Sequence, residues 1–205
     1  SPFRMPVQWV NRPDRTFRGF SGTVVSGIVK KGDEVRILPS GETAQVDDIV
    51  LYKNSLPQAI TDQAVTLKLN KEVDCSRGDV IVAAKEPIEV ADQFEVNMVW
   101  MDQETGHSGR SYWLKTSTTR VNATVSDIKF KYNINTLEHL SSNEMELNDI
   151  GVATISVDRG IPFEPYNNNR SLGSFVLIDR YTNATVAAGM INFALRRAKN
   201  IHTQK

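Results

Sequence analysis

Gly22-Thr23-Val24-Val25-Ser26-Gly27-Ile28-Val29, followed by Lys31-Gly32-Asp33 and then Glu34-Val35-Arg36-Ile37-Leu38, decides the fold class. β-branched residues crowd both runs, apolar side chains recur at alternate positions, and a Gly-Asp pair stands between them where the chain must reverse. The same grammar continues outward. Met5, Val7 and Trp9 alternate with polar neighbours on the N-terminal side, and Thr43 to Tyr52, Ala64 to Leu69 and Val80 to Ala83 follow on the other. Pro39-Ser40-Gly41, Asn54-Ser55-Leu56-Pro57 and Arg77-Gly78-Asp79 separate them, each with a glycine available for positive φ or a proline that fixes φ. Short strands with tight turns predict a barrel or a sandwich.

A second set of strand candidates follows Glu86-Pro87: Phe94 to Met101, Ser111 to Thr116, Val121 to Lys131, Met145 to Val157, Ser174 to Ile178 and Ala184 to Phe193. It repeats the architecture without repeating the sequence. Closing each sheet removes the exposed edges that an open sheet must protect. The predicted organisation is all-β, with a first barrel over 1–88, a second over 89–194, and a basic tail or linker over 195–205 that contains no acid. Alternation places Met5, Val7, Trp9, Val24, Val46 and Leu67 in the first core. It places Phe94, Val96, Val125, Ile155, Val176 and Ile191 in the second. The one helical hint is Thr136-Leu137-Glu138-His139-Leu140.

Across 205 residues, 24 basic side chains balance 24 acidic ones, so no global positive field is available to hold a phosphate backbone, and nucleic acid is not an expected partner. The single cysteine, Cys75, cannot form an intrachain disulfide. With no Cys/His cluster at metal-ligand spacing, this fits a reducing cytoplasm without structural zinc. No apolar run approaches the roughly 18 to 20 residues of a membrane helix, and no membrane association is expected. The start at Ser1-Pro2-Phe3, without Met, reads as a piece of a longer chain.

Enzyme signatures are largely missing. There is no Gly-Lys dipeptide and hence no G-x-x-x-x-G-K-[ST] phosphate loop, and no pair of glycines sits two apart to begin a dinucleotide fingerprint. Asn70-Lys71-Glu72-Val73-Asp74 approaches a guanine-reading N-K-x-D but carries the Asp one residue late, and reads as a polar strand end. In Gly106-His107-Ser108-Gly109 a serine adjoins a histidine in a hairpin, not in the strand-to-helix elbow a nucleophile requires. His107, His139 and His202 are too far apart for a local metal site. Arg77-Gly78-Asp79 spells an integrin tripeptide but mirrors Lys31-Gly32-Asp33, and Asn122, Asn169 and Asn183 open sequons at polar strand ends. Asp33, Glu34, Asp47 and Asp48 suggest carboxylate pairs, yet neighbours on a strand face opposite sides of the sheet. Cys75 reads as an inert thiol. No catalytic, cofactor-binding or metal-ligating residue is predicted.

Phe3 to Val10, Gly19-Phe20-Ser21-Gly22-Thr23-Val24-Val25-Ser26-Gly27 and Lys31-Gly32-Asp33-Glu34-Val35 resemble the second domain of elongation-factor-Tu-type GTPases. Longer runs are more specific. Pro6-Val7-Gln8-Trp9-Val10-Asn11-Arg12-Pro13, Val90-Ala91-Asp92-Gln93-Phe94-Glu95, Gly109-Arg110-Ser111-Tyr112, Leu147-Asn148-Asp149-Ile150-Gly151-Val152, Phe163-Glu164-Pro165-Tyr166 and Ile178 to Ile191 are similar, in order, to the large subunit of bacterial sulfate adenylyltransferase, the CysN family. The resemblance implies two consecutive small closed Greek-key-type barrels, like the second and third domains of translation-factor GTPases. It further implies a preceding GTPase domain that binds GTP and Mg²⁺, and a small adenylyl-transferring partner subunit, CysD. In fused members an adenylylsulfate kinase follows. The barrels themselves would couple GTP hydrolysis to adenylyl sulfate synthesis without catalysing either step. Two other readings remain open, a tRNA-binding barrel pair of a translation factor and a generic all-β interaction module.

One segment stands out as a contact surface. Asn11 to Phe20 concentrates Arg12, Arg15 and Arg18 with Phe17 and Phe20 around Pro13 and Gly19. Arginine with aromatics is the combination enriched at protein interfaces, while a hairpin whose Phe17 or Phe20 merely plugs the barrel end is the alternative.

Overall fold

The computed structural model describes residues 1–11, 18–133, 135, 139–140 and 143–197. The chain divides into two compact units, the first spanning Ser1–Val90 and the second beginning at Ala91. Among the described residues, every regular element apart from one short helix is a strand.

The first unit contains β1 (Arg4–Pro6), β2 (Trp9–Asn11), β3 (Gly19–Thr23), β4 (Ile28–Lys30), β5 (Glu34–Leu38), β6 (Thr43–Leu51), β7 (Asn54–Ser55), β8 (Gln58–Ile60), β9 (Ala64–Leu69) and β10 (Val80–Ala83). The strand order is β1-β10-β5-β6-β9-β3-β2. The N-terminal segment therefore supplies both ends of the path, pairing with β10 through β1 and with β3 through β2. Additional backbone bonds from Val25 N–H to the Arg4 carbonyl at 2.9 Å and from Gln8 N–H to the Ser21 carbonyl at 2.8 Å seal the barrel. Gly22 permits that closure: a Cβ there would lie 2.2 Å from the Pro6 carbonyl oxygen. Phe3, Met5, Val7, Phe20, Ile37, Ile49, Leu67 and Ile81 are among the side chains that fill the interior.

The alternation slips where the chain changes partner. Met5 pairs with Ile81 and Trp9 with Ser21, so the phase read through Met5 and Val7 breaks at Val7-Gln8. Trp9 is exposed, and Val10 packs partly against the core instead. Similarly, Gly27, at φ 71°, divides the run quoted at Gly22 to Val29 into two strands, the second of which pairs with β8.

The second unit contains β11 (Glu89–Trp100), β12 (Gly106–His107), β13 (Ser111–Thr116), β14 (Thr119–Asn133), β15 (His139–Leu140), β16 (Glu144–Met145), β17 (Asp149–Phe163), α1 (Arg170–Gly173), β18 (Ser174–Ile178) and β19 (Thr185–Arg197). The order β13-β18-β19-β11-β17-β14, with β14 pairing back to β13, is a closed ring. Consecutive β13, β14 and β17 lie side by side with β11 beyond β17, a Greek-key arrangement. Its core includes two edge-to-face aromatic pairs, Phe94 with Phe163 at 4.9 Å and Trp100 with Tyr112 at 5.7 Å.

Three expectations are corrected here. Val176 is only half-buried, with Phe175 and Leu177 inside, because Phe175-Val176-Leu177-Ile178 is continuously apolar and gives no phase. His139-Leu140 forms a strand paired with Tyr132 and Lys131, not a helical turn, and residues 136–138 lie outside the described residues. The proposed tail begins too early: β19 runs through Arg197, and Arg196 Nε stands 2.6 Å from Asp92 Oδ1.

Candidate functional site

The strand-turn chemistry absorbs most residues that invite a catalytic reading. Gly32 and Gly78 take φ 89° and 96°, and in each turn the following Asp accepts a backbone N–H: Lys30 to Asp33 at 2.9 Å, Ser76 to Asp79 at 3.0 Å. The same turn recurs at Asn148, φ 71°, where Asp149 accepts the Glu146 N–H at 2.8 Å. Asp149 and Lys131, both nearly dry, then form an ion pair at 2.9 Å, so Leu147 to Val152 is a structural turn. Asp47 sits at a bulge in β6, which turns both it and Asp48 outward, contrary to the opposite-face expectation. Asp48 accepts the Ser55 hydroxyl at 2.6 Å and pairs with Lys31 at 3.1 Å, which holds its carboxyl below the usual value. Burial, with Asp79 second, pushes the Cys75 thiol far up. Among the described residues no group of acids, histidines and cysteine could hold a metal ion. No helix there is long and apolar enough to cross a membrane.

Of the expected contact segment, Arg12, Arg15 and Phe17 lie outside the described residues. Phe20 is a core side chain, 2% exposed, so its ring is not a surface contact. Arg18 lies over that ring, donates to the Val73 carbonyl at 2.6 Å, and approaches Glu72 at 3.4 Å. The structure brings Arg18 and Phe20 together as a clamp on the end of the first barrel.

A denser arginine and aromatic cluster occupies the outer face of the second barrel. Trp113 on β13 is opposite Asn122 on β14 and Ile178 on β18. Arg120, from β14, and Arg180, just past β18, place their guanidinium carbons 4.6 and 4.5 Å from the indole centroid. Arg180 also donates to Asn122 Oδ1, and Arg159 donates to the Arg120 carbonyl at 3.3 Å. At the other end of β13, Arg110 lies 5.5 Å from the Tyr112 ring centroid and 3.1 Å from Asp179 Oδ2. Asp179 is held below its usual pKa by the backbone N–H groups of Thr182 and Tyr181, at 2.9 and 2.8 Å. Tyr181 projects beyond this turn, 90% exposed. Arg110, Trp113, Arg180 and Tyr181 line one recess. An adjoining groove of about 700 Å³ runs past Lys115, Val176, Ala188 and Met190. None of this cluster was predicted. The runs containing Arg110 and Arg180 are legible as motifs, but only the pairing of β13 with both neighbours brings them together, Arg110 meeting Asp179 across 69 residues.

Comparison with known proteins completes the picture. The Elongation factor Tu domain 2 family matches residues 20–82, and the GTP-eEF1A C-terminal domain-like family matches residues 93–192. Bifunctional enzyme NodQ of Rhizobium sp. (strain N33) is 50% identical over 203 residues, 99% of this chain and 31% of that protein. The chain is a CysN/NodQ homologue. Bifunctional enzyme CysN/CysC of Xylella fastidiosa is 47% identical to it over 200 residues, covering 98% of the chain and 32% of the relative. Sulfate adenylyltransferase subunit 1 of Saccharophagus degradans is 47% identical over 189 residues, 92% and 40% respectively. This CysN/NodQ homologue thus spans well under half the length of those relatives. Its fold matches the crystal structure of Sup35 complexed with GDP at a TM-score of 0.84 and 20% identity, over 95% of this chain and 48% of that one.

Proposed function

We propose that the chain is the barrel region of a GTP-dependent sulfate adenylyltransferase subunit, acting in sulfate assimilation toward cysteine in the cytoplasm. The observation that carries this reading is the 50% identity extending over 203 residues and hence through both barrels. In the proposed reaction ATP and sulfate give adenylyl sulfate and pyrophosphate on a small partner subunit. The sulfate-phosphate anhydride formed is less stable than the bond broken in ATP. Hydrolysis of GTP to GDP and phosphate, in a preceding domain that holds GTP and Mg²⁺, supplies the drive. The barrels convert the nucleotide-dependent movement of that domain into a movement against the small subunit.

The segment carrying Arg12, Arg15, Phe17 and Arg18 is assigned to the first-barrel contact. An adenylylsulfate kinase fused downstream suits the longer alignments with the bifunctional relatives, 203 and 200 residues against 189 for subunit 1. The test is to express the chain alone and joined to a GTPase domain from its own gene, then add the small subunit, ATP, sulfate and GTP. The joined protein should release pyrophosphate faster with GTP, and the chain alone should neither bind GTP saturably nor turn it over. GTP turnover that follows the purified chain, or a joined protein indifferent to sulfate, overturns the proposal.

A further inference from the structure

We infer that the outer face of β13, centred on Trp113 and its two stacked arginines, is the docking surface for an acidic segment of the small adenylyl-transferring subunit. The inference rests on the proposed function and adds to it the surface and its chemistry.

Charge carries the argument. The chain as a whole is neutral. Around Trp113, however, Lys115 is on β13, Arg120 is on the neighbouring β14, Arg180 follows the neighbouring β18, and Arg159, one strand further out on β17, reaches the Arg120 carbonyl; the carboxylate beside Arg159 is Asp158, which follows the Val157 paired to Ala123. No ion pair joins any of these cations to an acid among the described residues. Asp179, directly before Arg180, is already engaged by Arg110 and by the backbone N–H groups of Tyr181 and Thr182, and Asp102 and Glu104 act on Tyr112. An excess of positive charge therefore stands uncompensated at one place.

Geometry narrows the partner. A guanidinium lying over an aromatic ring can still present its N–H edge to a carboxylate, in two parallel bonds where the whole edge is open; Arg180 spends one of its N–H groups on Asn122 and keeps the others. Arg120 and Arg180 reach the indole from the strands on either side of β13, so the ring is already covered and a nucleobase has little of it left to stack on. The Arg120 fork and the remaining N–H groups of Arg180, held over the same ring, suit successive carboxylates on a protein segment. Tyr181, almost wholly exposed, and the groove past Val176 and Met190 supply the apolar area that such an arginine rim surrounds at interfaces.

The experiment measures affinity between the full-length subunit and its purified small subunit by titration calorimetry, with Arg120→Glu/Arg180→Glu and Trp113→Ala. The double reversal should weaken binding about 100-fold and flatten its dependence on salt, and Trp113→Ala should weaken it about tenfold. Lys53→Glu, an equally exposed reversal on the first barrel, should leave affinity unchanged. Because Arg120 and Arg180 are exposed, an unchanged melting temperature separates lost docking from lost folding. If the unaltered proteins do not bind each other, the proposed function fails. If they bind and the double reversal binds equally well, the docking surface alone is wrong. A short single-stranded RNA that binds the unaltered chain and not the double reversal, with small-subunit affinity intact, would reassign this face to nucleic acid.

Discussion

Lys131 Nζ lies 2.9 Å from Asp149 Oδ2, and the two side chains are only 6% and 4% exposed. Asp149 also accepts Asn133 Nδ2 at 3.0 Å and the Glu146 N–H at 2.8 Å, so both carboxylate oxygens are engaged, Oδ2 by two donors and Oδ1 by one. Burial alone would raise its pKa. The bonds from Lys131, Glu146 and Asn133 outweigh that and lower it. Removing one partner from such a pair strands the other charge in the barrel wall. Asp149→Ala should cost about 3 to 5 kcal/mol in urea unfolding, while Lys131→Met/Asp149→Leu should recover most of it. A single-variant loss below about 1 kcal/mol would show that water reaches Lys131.

The same pair sets an acid limit. A carboxyl whose folded pKa lies below its unfolded value stabilises the fold fully above that unfolded value, here 3.8, and the contribution disappears as pH falls through the lower folded value. Asp48 and Asp179 shift in the same direction. Stability should therefore be flat in these groups at neutral pH and fall steeply below 3.8. Asp149→Asn should reduce that slope in melts followed from neutral to acid pH. An unchanged slope would remove Asp149 from the acid transition.

Gly22 is the point at which the first barrel closes on its own N-terminal segment. Gly22→Ala sets a methyl 2.2 Å from the Pro6 carbonyl oxygen and 3.2 Å from Met5 Cγ, so the backbone of β1 or β3 must move. The expected cost is roughly 1 to 3 kcal/mol, the range for overpacking. Amide exchange should accelerate in β1 and β3 before it does in β5 or β9. Uniform exchange, with no loss of stability, would mean that the seam is loose.

Much of this architecture was legible because local rules suffice. Glu34–Leu38, Ala64–Leu69, Val80–Ala83, Ser111–Thr116 and Ser174–Ile178 begin and end where alternation and turn residues place them. Alternation fails where it has no physical content. Trp9 follows a change of pairing partner, Val176 sits in an unbroken apolar run, and Gln58–Ile60 is too short to signal a strand. The arginine cluster was illegible for another reason. Arg110, Trp113, Arg120 and Arg180 become neighbours only through strand register, and no spacing along the chain encodes that register. Phe20, by contrast, reads equally well as contact or plug, and burial makes it the plug.

Arg18 joins structure to the proposed contact. Its bond to the Val73 carbonyl means that Arg18→Ala cannot be thermodynamically silent. A loss of about 1 kcal/mol is expected from that bond. Cys75, buried in the same core as Phe20 and Val73, reports the consequence. In the native chain its thiol should resist disulfide-exchange reagents at neutral pH, and Arg18→Ala should speed the reaction by opening this end of the barrel. Rapid modification of the unaltered chain would contradict the burial.

The central claim is that these barrels connect GTP turnover to adenylyl transfer. The most direct measurement adds the purified chain, in increasing excess, to the full-length subunit and its small subunit while GTP-stimulated adenylyl sulfate synthesis is followed. A folded chain with the proposed contacts should compete for the small subunit and suppress the stimulated rate to the level seen without GTP, in a saturable manner. A folded chain that leaves the stimulated rate unchanged at every concentration, and that does not bind the small subunit, would contradict the account.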